Sequence, residues 1–347
     1  MAPVKSCQNK SQNRGNLLQI TDLDVTFEQL RGDVKIETAH ALRGIDLTLA
    51  PGEVHSLVGE SGSGKTVTST CVIGLLPMPP GKINRGELLF KGRDLLKLSE
   101  AEKRKVRGRE IAMIFQEPAK YLNPALKVGE QITEMVILHL GMDKIKAKER
   151  ALDLLEIVGL GRSKRILTSY AHELSGGMKQ RVMIAMAISC DPSLLIADEP
   201  TTALDVTLQL QILKLILKLK DKLSMSILFI SHDLGVVYNI SDWISVIYAG
   251  KIVESGGRED LFSNPLHPYT RLLFLSIPDA EKRGSRLRAI PGSVPDAEHI
   301  PAGCAFHTRC PIAEGICRNE VPLSRSQART GAHHTAACHL MEKKWPD

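Results

Sequence analysis

Aromatic residues are scarce in this sequence: Phe, Trp and Tyr make up only 4% of its 347 residues. A surface that stacks nucleic-acid bases needs several aromatic side chains, so we expect no nucleic acid among the partners. No apolar run is long enough to span a membrane, and residues 1–16 are polar and lack the apolar core of a signal peptide. We therefore predict a disordered tail over 1–16 and a cytoplasmic protein whose thiols are reduced.

The overall composition is that of an ordinary globular protein, with 43% hydrophobic residues, 24% charged residues and a net charge of +6. A chain of this length exceeds one small core, which predicts one large domain with an appendage, or two domains. The mild basic excess is compatible with a nucleotide or an anionic lipid and does not by itself select a function.

Short apolar runs alternate with helical patterns along most of the chain. The runs VHSLV, SLLIAD and SILFIS are typical of buried parallel strands, whereas LQLQILKLILKLKDKL has the spacing of an amphipathic helix. This alternation predicts a three-layer α/β core. After about residue 261 the sequence becomes rich in Pro, His and Cys, which predicts a linker followed by a small separate subdomain.

The clearest motif is the glycine-rich run GESGSGKT, which comprises Gly59, Glu60, Ser61, Gly62, Ser63, Gly64, Lys65 and Thr66. It follows a predicted strand and begins a predicted helix, which is the context of a phosphate-binding loop. Glycines let backbone N–H groups surround phosphates, Lys65 is expected to contact the β- and γ-phosphates, and the Thr66 hydroxyl is expected to bind Mg²⁺. The run therefore predicts a site for ATP with Mg²⁺.

Two adjacent acids end the predicted strand SLLIAD. A carboxylate at the position of Asp198 can hold Mg²⁺ through water, and Glu199 beside it can polarise an attacking water molecule. Without other motifs, the pair would be interpreted as exposed acids at a strand end. The phosphate-binding loop in the same chain favours the catalytic interpretation.

A second candidate phosphate site lies in the run LSGGM, which comprises Leu174, Ser175, Gly176, Gly177 and Met178. A serine and two glycines at the start of a predicted helix offer free backbone N–H groups and the positive helix end to an anion. The chain therefore carries two phosphate-binding elements, which calls for an explanation beyond a single ATP.

Together these motifs resemble the ATPase domain of ABC transporters over about residues 18–257. The resemblance implies an active ATPase with a P-loop NTPase core of the RecA type, an antiparallel β subdomain and a helical signature subdomain at about 120–180, within a domain at 17–261. It also implies that two ATPase subunits pair head to tail, so that LSGGM contacts the partner's nucleotide. Gln116, Asp205 and His232 match the family's glutamine that senses Mg²⁺ and the γ-phosphate, its residue at the dimer seam and its switch histidine.

The C-terminal part, 262–347, resembles the extension of the ATPases of oligopeptide, dipeptide and nickel importers, through NPLHPYTRLLFLSIP and GCAFHTRCP. The resemblance implies a subunit that lies peripherally on the cytoplasmic face of the inner membrane. Its implied partners are a second homologous ATPase subunit, two transmembrane permeases and, indirectly, a periplasmic or extracellular substrate-binding protein. Di- or oligopeptides are the expected cargo, with nickel or another small solute as the alternative, because the ATPase does not choose the cargo.

Four of the seven cysteines lie in the extension with the spacing C-x5-C-x6-C-x20-C, namely Cys304, Cys310, Cys317 and Cys338. The tight C-x2-C pair of common zinc sites is missing, yet four reduced thiols can hold Zn²⁺ or a [4Fe–4S] cluster, or can pack in a small loop-rich unit. Some members of the dipeptide branch bind a [4Fe–4S] cluster on such cysteines, and this resemblance favours the cluster. No ATPase motif lies in the segment, so we expect the cluster to lie far from the ATP.

Two other functions were compared with this one. A soluble ABC ATPase of translation or DNA repair usually has two ATPase domains in one chain or a long coiled-coil insertion, and the sequence has neither. A metal-sensing regulator with a vestigial ATPase is disfavoured because Glu199 and His232 are intact. Phe27 is a candidate for stacking on adenine, and a role in the core is equally open for it.

Overall fold

The structure is a computed structural model that describes residues 15–31, 34–202, 204–276, 290–326 and 333–343. Residues 1–14 of the predicted disordered tail lie outside this range. Within these ranges, no helix is both long enough and apolar enough to cross a membrane.

Twelve strands form two sheets in the described part of the chain. Their bounds are β1 (Leu18–Arg31), β2 (Val34–Leu49), β3 (Val54–Val58), β4 (Gly81–Phe90), β5 (Arg93–Asp94), β6 (Ile111–Ile114), β7 (Leu194–Asp198), β8 (Ser226–Ser231), β9 (Trp243–Tyr248), β10 (Lys251–Gly257), β11 (Arg325–Ser326) and β12 (Thr335–Ala336).

Helices separate most of these strands, as the alternating pattern predicts. Their bounds are α1 (Lys65–Ile73), α2 (Glu100–Val106), α3 (Pro118–Tyr121), α4 (Val128–Leu140), α5 (Lys144–Ile157), α6 (Lys164–Thr168), α7 (Gly176–Ala187), α8 (Val206–Leu223), α9 (Leu234–Ile240), α10 (Arg258–Ser263), α11 (Pro268–Leu275) and α12 (Gly315–Asn319), with 3₁₀ turns at Leu95–Lys97 and Ala171–Glu173.

The larger sheet has eight strands in the order β11-β12-β10-β9-β3-β8-β7-β6. Its centre is parallel, since β3 pairs in parallel with β8 and β9, and β7 pairs in parallel with β6 and β8. Every residue of β3, β7 and β8 is buried, which explains why these strands are rich in apolar residues and do not alternate as half-exposed strands do. The predicted α/β core is confirmed.

The smaller sheet is antiparallel, with the order β2-β1-β4-β5. Its inward side chains form a second hydrophobic cluster that includes Leu18, Ile45 and Phe90. Helices α3 to α7 lie between β6 and β7 in the chain, where the helical subdomain was predicted. Both subdomains of the predicted fold are therefore confirmed.

The C-terminal extension does not form the separate subdomain that we predicted. Strand β12 pairs with β10 at the edge of the larger sheet, and Ala305 and Phe306 are buried in the larger hydrophobic core. The ring of Phe306 lies 5.2 Å from the ring of Tyr248 and 5.3 Å from the ring of Tyr269. A buried contact of 2.8 Å between His334 Nε2 and Glu254 Oε1 links the extension to β10 as well. The extension therefore shares the core of the ATPase fold.

Candidate active site

The parallel strands place the candidate catalytic residues at one edge of the larger sheet. Strand β3 leads into Gly59, β7 into Glu199 and β8 into His232, while Gln116 follows β6 by two residues. Since the carboxyl ends of parallel strands meet at the same edge, residues far apart in the chain converge there.

The run Gly59–Thr66 joins β3 to α1 as a tight loop. A side chain at Gly59 would lie 2.2 Å from the carbonyl oxygen of Ile247, and Gly64 has φ of +110°, so both positions require glycine. The buried Lys65 ammonium donates to the carbonyl oxygens of Gly59 at 2.8 Å and Glu60 at 2.9 Å. Burial lowers the pKa of Lys65, although nearby carboxylates act in the opposite direction. The two hydrogen bonds therefore hold the Lys65 ammonium against the backbone at the start of the loop.

A cavity of about 610 Å³ opens beside this loop. Its volume lies in the range typical of small-molecule and cofactor sites. It is lined by Ala41, Glu60, Ser61, Gly62, Gly64, Lys65, Thr66, Val67, Gln116, Glu199, Thr202, His232 and Ala297. The structure thus brings together the predicted loop, Gln116, Glu199 and His232 around one space.

Glu199 is the centre of a hydrogen-bond network in this cavity. One carboxylate oxygen accepts from Gln116 Nε2 at 2.8 Å and from the Thr202 hydroxyl at 3.0 Å. The other oxygen lies 2.9 Å from His232 Nδ1. Such a network fixes the orientation of the carboxylate, which is what a group that orients a water molecule requires.

The environment of Glu199 favours the charged carboxylate. Burial acts to raise the pKa of Glu199, but the hydrogen bonds from His232 and Thr202 and the nearby charge of Lys65 outweigh it, so the pKa lies below its ordinary value. The backbone of Glu199 has φ of +46°, in the left-handed region that non-glycine residues seldom occupy. Strain of this kind is common at functional sites.

Asp198 lies between the sheet and helix α1. Its carboxylate accepts from the hydroxyls of Thr66 and Ser69, the latter at 3.3 Å. Burial raises the pKa of Asp198 despite these hydrogen bonds. A carboxylate and a hydroxyl are the oxygen donors that Mg²⁺ prefers, so the pair formed by Asp198 and Thr66 fits the expected metal chemically.

The LSGGM run lies apart from this cavity, because none of its residues is among the lining side chains in the described part of the chain. Ser175 caps the N-terminus of α7 and accepts from the Met178 N–H at 3.4 Å. A side chain at Gly176 would meet no atom within 4 Å, whereas one at Gly177 would lie 2.7 Å from Leu208, so the helix is open at Gly176. The helix end at LSGGM therefore has the form expected of a phosphate-binding element, but it does not line the cavity of its own chain.

Two further residues tie the region of Glu199 to its surroundings. Asp205, predicted at the dimer seam, caps α8 by accepting from the Leu208 N–H at 2.9 Å. Buried Gln180 of α7 donates to the Pro200 carbonyl oxygen at 2.6 Å. Gln180 thus connects the helix that begins at LSGGM to the residue after Glu199, a link that the sequence analysis missed.

Phe27 does not line the cavity. It lies on β1 opposite Ala39 and Gly81 and packs against the core of the antiparallel sheet. These contacts favour the packing role over adenine stacking.

The extension reaches the cavity, a contact that the sequence analysis did not predict. Ala297 lines the cavity, and Arg309 forms an ion pair with Glu60 of the loop at 2.7 Å. Glu60 and Arg309 are 249 positions apart, so no local pattern in the sequence could have linked them. Thr202, which donates a hydrogen bond to Glu199, is another residue that the sequence analysis missed.

The four cysteines of the extension are free thiols. Burial is the main cause that raises the pKa of Cys304, of Cys310 to about 11 and of Cys338 to about 12, and each also feels the charge of a neighbouring cysteine. Backbone N–H groups two residues further on donate to all three sulfurs. Among the residues that the structure describes, however, no group of three or more His, Cys, Asp or Glu side chains is placed to hold a metal ion. The cluster remains a prediction.

Two protein families match parts of this sequence. A model of the ABC transporter family matches residues 42–202, and a model of the oligopeptide/dipeptide transporter C-terminal region matches 253–317. The oligopeptide transport ATP-binding protein OppD of Bacillus subtilis is 50% identical over 307 residues, which cover 88% of this chain and 84% of that protein. The chain belongs to the ATP-binding subunits of ABC transporters. It is an ABC ATPase, as the sequence analysis predicted.

Other members of this family are similar over nearly the whole chain. The dipeptide transport ATP-binding protein DppD of Bacillus subtilis is 43% identical over 94% of this chain and 96% of its own length. The OppD protein of Salmonella typhimurium is 46% identical over 88% of this chain and 90% of its own length. The similarity to these ATP-binding subunits therefore includes both the ATPase core and the extension.

Solved structures match the ATPase core. A dimeric ATP-binding cassette in a post-hydrolysis state with ADP and Pi aligns with a TM-score of 0.60 at 27% identity, over 70% of this chain and 98% of that one. The subunit cbiO1 of Clostridium perfringens aligns with a TM-score of 0.59 at 26% identity, over 72% of this chain and 92% of its own. Both comparisons confirm the ABC ATPase fold.

Proposed function

We propose that this ABC ATPase powers the import of di- or oligopeptides. ATP hydrolysis is supported by one observation above all, the hydrogen-bond network in the cavity. It joins Glu199 to Gln116, Thr202 and His232 and lies beside the loop that contains Lys65. The cargo rests on the names of the relatives, which are oligopeptide and dipeptide transport proteins, and on the matching C-terminal region. Nickel or another small solute remains the alternative cargo.

The predicted site residues in and beside the cavity have proposed roles in the hydrolysis of ATP. The loop backbone from Gly59 to Thr66 and the Lys65 ammonium hold the phosphates, and Thr66 and Asp198 hold Mg²⁺ with help from Gln116. Glu199 orients and polarises the attacking water, and His232 contacts the γ-phosphate. Held there, Mg²⁺ would neutralise charge on the phosphate oxygens.

The open LSGGM element supports pairing with a second ATPase subunit. We infer that Leu174, Ser175, Gly176, Gly177 and Met178 contact the nucleotide of a homologous partner, and that Asp205 lies at the seam. The free N-terminus of α7 and the dimeric state of the solved cassette support this proposal. Closing of the pair then completes both sites, which couples hydrolysis to conformational change.

The proposed permease contact is an apolar groove of about 210 Å³ beside Gln116. Phe115 lines the groove and stacks on Tyr121 at 3.9 Å, and Tyr121 is 53% exposed. Four methionines are also among the lining residues, namely Met113, Met135, Met183 and Met186. Flexible, polarisable side chains suit the docking of a helix from another subunit. Two permeases, and through them a substrate-binding protein outside the cell, are the proposed partners at the cytoplasmic face of the membrane.

We also propose that the chain divides into an ATPase domain at 17–261 and an extension at 262–347, in line with the two family models. Within the extension we propose a metal site on Cys304, Cys310, Cys317 and Cys338, with a [4Fe–4S] cluster favoured over Zn²⁺. Backbone N–H donation to three of the sulfurs supports thiolate ligation, because it stabilises negative charge on sulfur.

Growth on peptides tests the proposed cargo. In cells that require an amino acid and lack other peptide importers, removal of this chain is expected to prevent growth when that amino acid is supplied only as a di- or tripeptide. Growth on the free amino acid is the control. Wild-type protein should restore growth, and Glu199→Gln should not. Unchanged growth on peptides, with loss of nickel uptake, would replace peptides by nickel as the cargo.

A further inference from the structure

The extension holds Glu60, the second residue of the phosphate-binding loop, at two separate groups. The Glu60 N–H donates to the Tyr269 hydroxyl at 2.9 Å. The Glu60 carboxylate accepts two hydrogen bonds from the Arg309 guanidinium, at 2.7 Å and 3.0 Å. Paired bonds of this kind fix orientation as well as distance. The loop is therefore anchored from outside the segment that recognises phosphate.

Arg309 is itself rigidly placed. Its side chain is 4% exposed, its Nε donates to the Pro291 carbonyl oxygen at 2.7 Å, and its Nη1 lies 3.3 Å from the Tyr248 hydroxyl. The guanidinium also lies 5.8 Å from the centre of the Tyr248 ring and 5.9 Å from that of Phe306. The hydrogen bonds from Arg309 to Glu60 raise the pKa of Arg309 further above its ordinary value. A charge buried in this way costs free energy unless its partner remains in place.

Glu60 also contacts Lys65, the lysine that is expected to bind phosphate. The carbonyl oxygen of Glu60 accepts from Lys65 Nζ at 2.9 Å. Glu60 thus uses its N–H, its carboxylate and its carbonyl oxygen, two of them toward the extension and one toward Lys65. A shift of Glu60 would displace the lysine and the backbone N–H groups that follow it.

A second part of the extension contributes one residue, Ala297, to the lining of the cavity. The Ala297 carbonyl oxygen accepts from the His40 N–H at 2.7 Å, and Ala297 and Ala41 both line the cavity. Arg309 binds the backbone of Pro291 in the same segment, so one side chain connects the loop to this wall. The extension therefore contacts the cavity lining at two places, at Glu60 through Arg309 and at Ala297 itself.

We propose that the C-terminal extension is part of the nucleotide site: Arg309 is a positioning residue that sets the phosphate-binding loop through Glu60, and the segment from Pro291 to Ala297 forms one wall for the bound nucleotide. Affinity for ATP then depends on a residue outside every ATPase motif. The proposal rests on the assignment of Gly59–Thr66 as the phosphate-binding loop.

Variants of the ion pair test the proposal in the full-length protein. Arg309→Gln is expected to raise the dissociation constant for Mg·ATP about tenfold, the change that corresponds to losing a well-placed charged hydrogen bond. Arg309→Lys should fall between the wild type and Arg309→Gln, because an ammonium cannot form the paired bonds. In the assembled transporter, the KM for ATP should rise by a similar factor while kcat changes less than threefold.

A double-mutant cycle separates positioning from general destabilisation. If Arg309 acts through Glu60, then combining Arg309→Gln with Glu60→Gln should weaken ATP binding no more than one of the single changes does. Lys343→Gln is the matched control, because Lys343 also forms an ion pair in the extension, with Glu314 at 2.5 Å, but does not contact the loop. This control should leave ATP affinity within twofold of wild type.

The outcomes are distinct. Folded Arg309→Gln protein with unchanged ATP affinity, or additive effects in the cycle, would overturn the proposal. If Lys65→Ala also left ATP affinity unchanged, the assignment of the loop itself would fail instead. Hydrogen exchange of the wild-type protein provides a readout that does not need a variant. ATP should slow exchange in residues 290–310 at least threefold, and no slowing there would contradict the proposed wall.

Discussion

The change Glu199→Gln is the most informative perturbation of the catalytic cavity. It keeps the size of the side chain but replaces one of two carboxylate oxygens by an amide nitrogen. In the structure both oxygens are used, one by Gln116 and Thr202 and the other by His232. The amide can accept on one side only, so we expect one side of the network to be lost and the water-orienting charge to be removed.

The magnitude follows from these contacts. Loss of a general base or of a comparable positioned charge lowers a rate by about 10²–10⁴-fold, or about 3–5 kcal/mol in activation free energy. ATP binding should change less than threefold, because Lys65, Thr66 and Asp198 are untouched. The variant should therefore accumulate as a closed pair that holds ATP.

Single-turnover hydrolysis of labelled ATP measures this effect without interference from product release. Glu149→Gln is the matched control, since Glu149 is an exposed carboxylate of α5 that pairs with Arg162 at 2.8 Å, outside the cavity lining. The control should hydrolyse ATP at the wild-type rate. A Glu199→Gln rate within fivefold of wild type, at the site that contains this residue, would refute the catalytic role.

Four other predictions follow from the structure. Lys65→Ala should empty the nucleotide site of this chain, whereas Ser175→Arg should impair hydrolysis on the partner subunit, and trapping of labelled nucleotide on each subunit will distinguish the two. Phe306→Ala should destabilise the whole ATPase fold by about 3–5 kcal/mol, because the ring lies in the shared core, and urea unfolding should remain a single transition. Anaerobically purified wild-type protein should contain about four iron atoms per chain, and Cys310→Ser should lower this content and weaken assembly while ATP binding persists. One zinc atom and no iron in the wild type would show a zinc site instead of the cluster. No metal at all would show that the four cysteines only pack in the extension. Burial lowers the pKa of His55 to about 4, so between about pH 6.5 and 4 the unfolded chain binds a proton at this residue that the folded chain does not. The stability that His55 contributes should therefore decrease as the pH falls through this window, by about 1 kcal/mol per pH unit, and this contribution is measured as the difference between wild type and His55→Gln in pH-dependent unfolding.

Most of the ATPase core was predictable because its signals are local. Strand β3 leads directly into the glycine-rich loop. A central parallel strand that is buried on both faces is rich in apolar residues, so it can be predicted from the sequence. The acids at Asp198 and Glu199 end another such strand, so the sheet topology alone brings them to the loop.

The extension was mispredicted because its structure depends on contacts distant in sequence. Strand β12 has only two residues, too few to show a strand pattern in the sequence, and it forms through its pairing with β10. Phe306 fills a space between Tyr248 and Tyr269, so a segment with few large apolar residues needs no separate core. Arg309 finds its carboxylate on a loop 249 positions earlier. The spacing of apolar residues within the segment therefore could not predict these contacts.

Transport by the complete assembly tests the central claim most directly. The chain, its partner ATPase and the two permeases would be reconstituted in liposomes, with the substrate-binding protein and a labelled tripeptide on one side and ATP with Mg²⁺ on the other. We predict that tripeptide crosses the membrane only with ATP, and that Glu199→Gln lowers the rate at least tenfold. Tripeptide transport that is independent of ATP, or that continues at the wild-type rate in the Glu199→Gln assembly, would contradict the account.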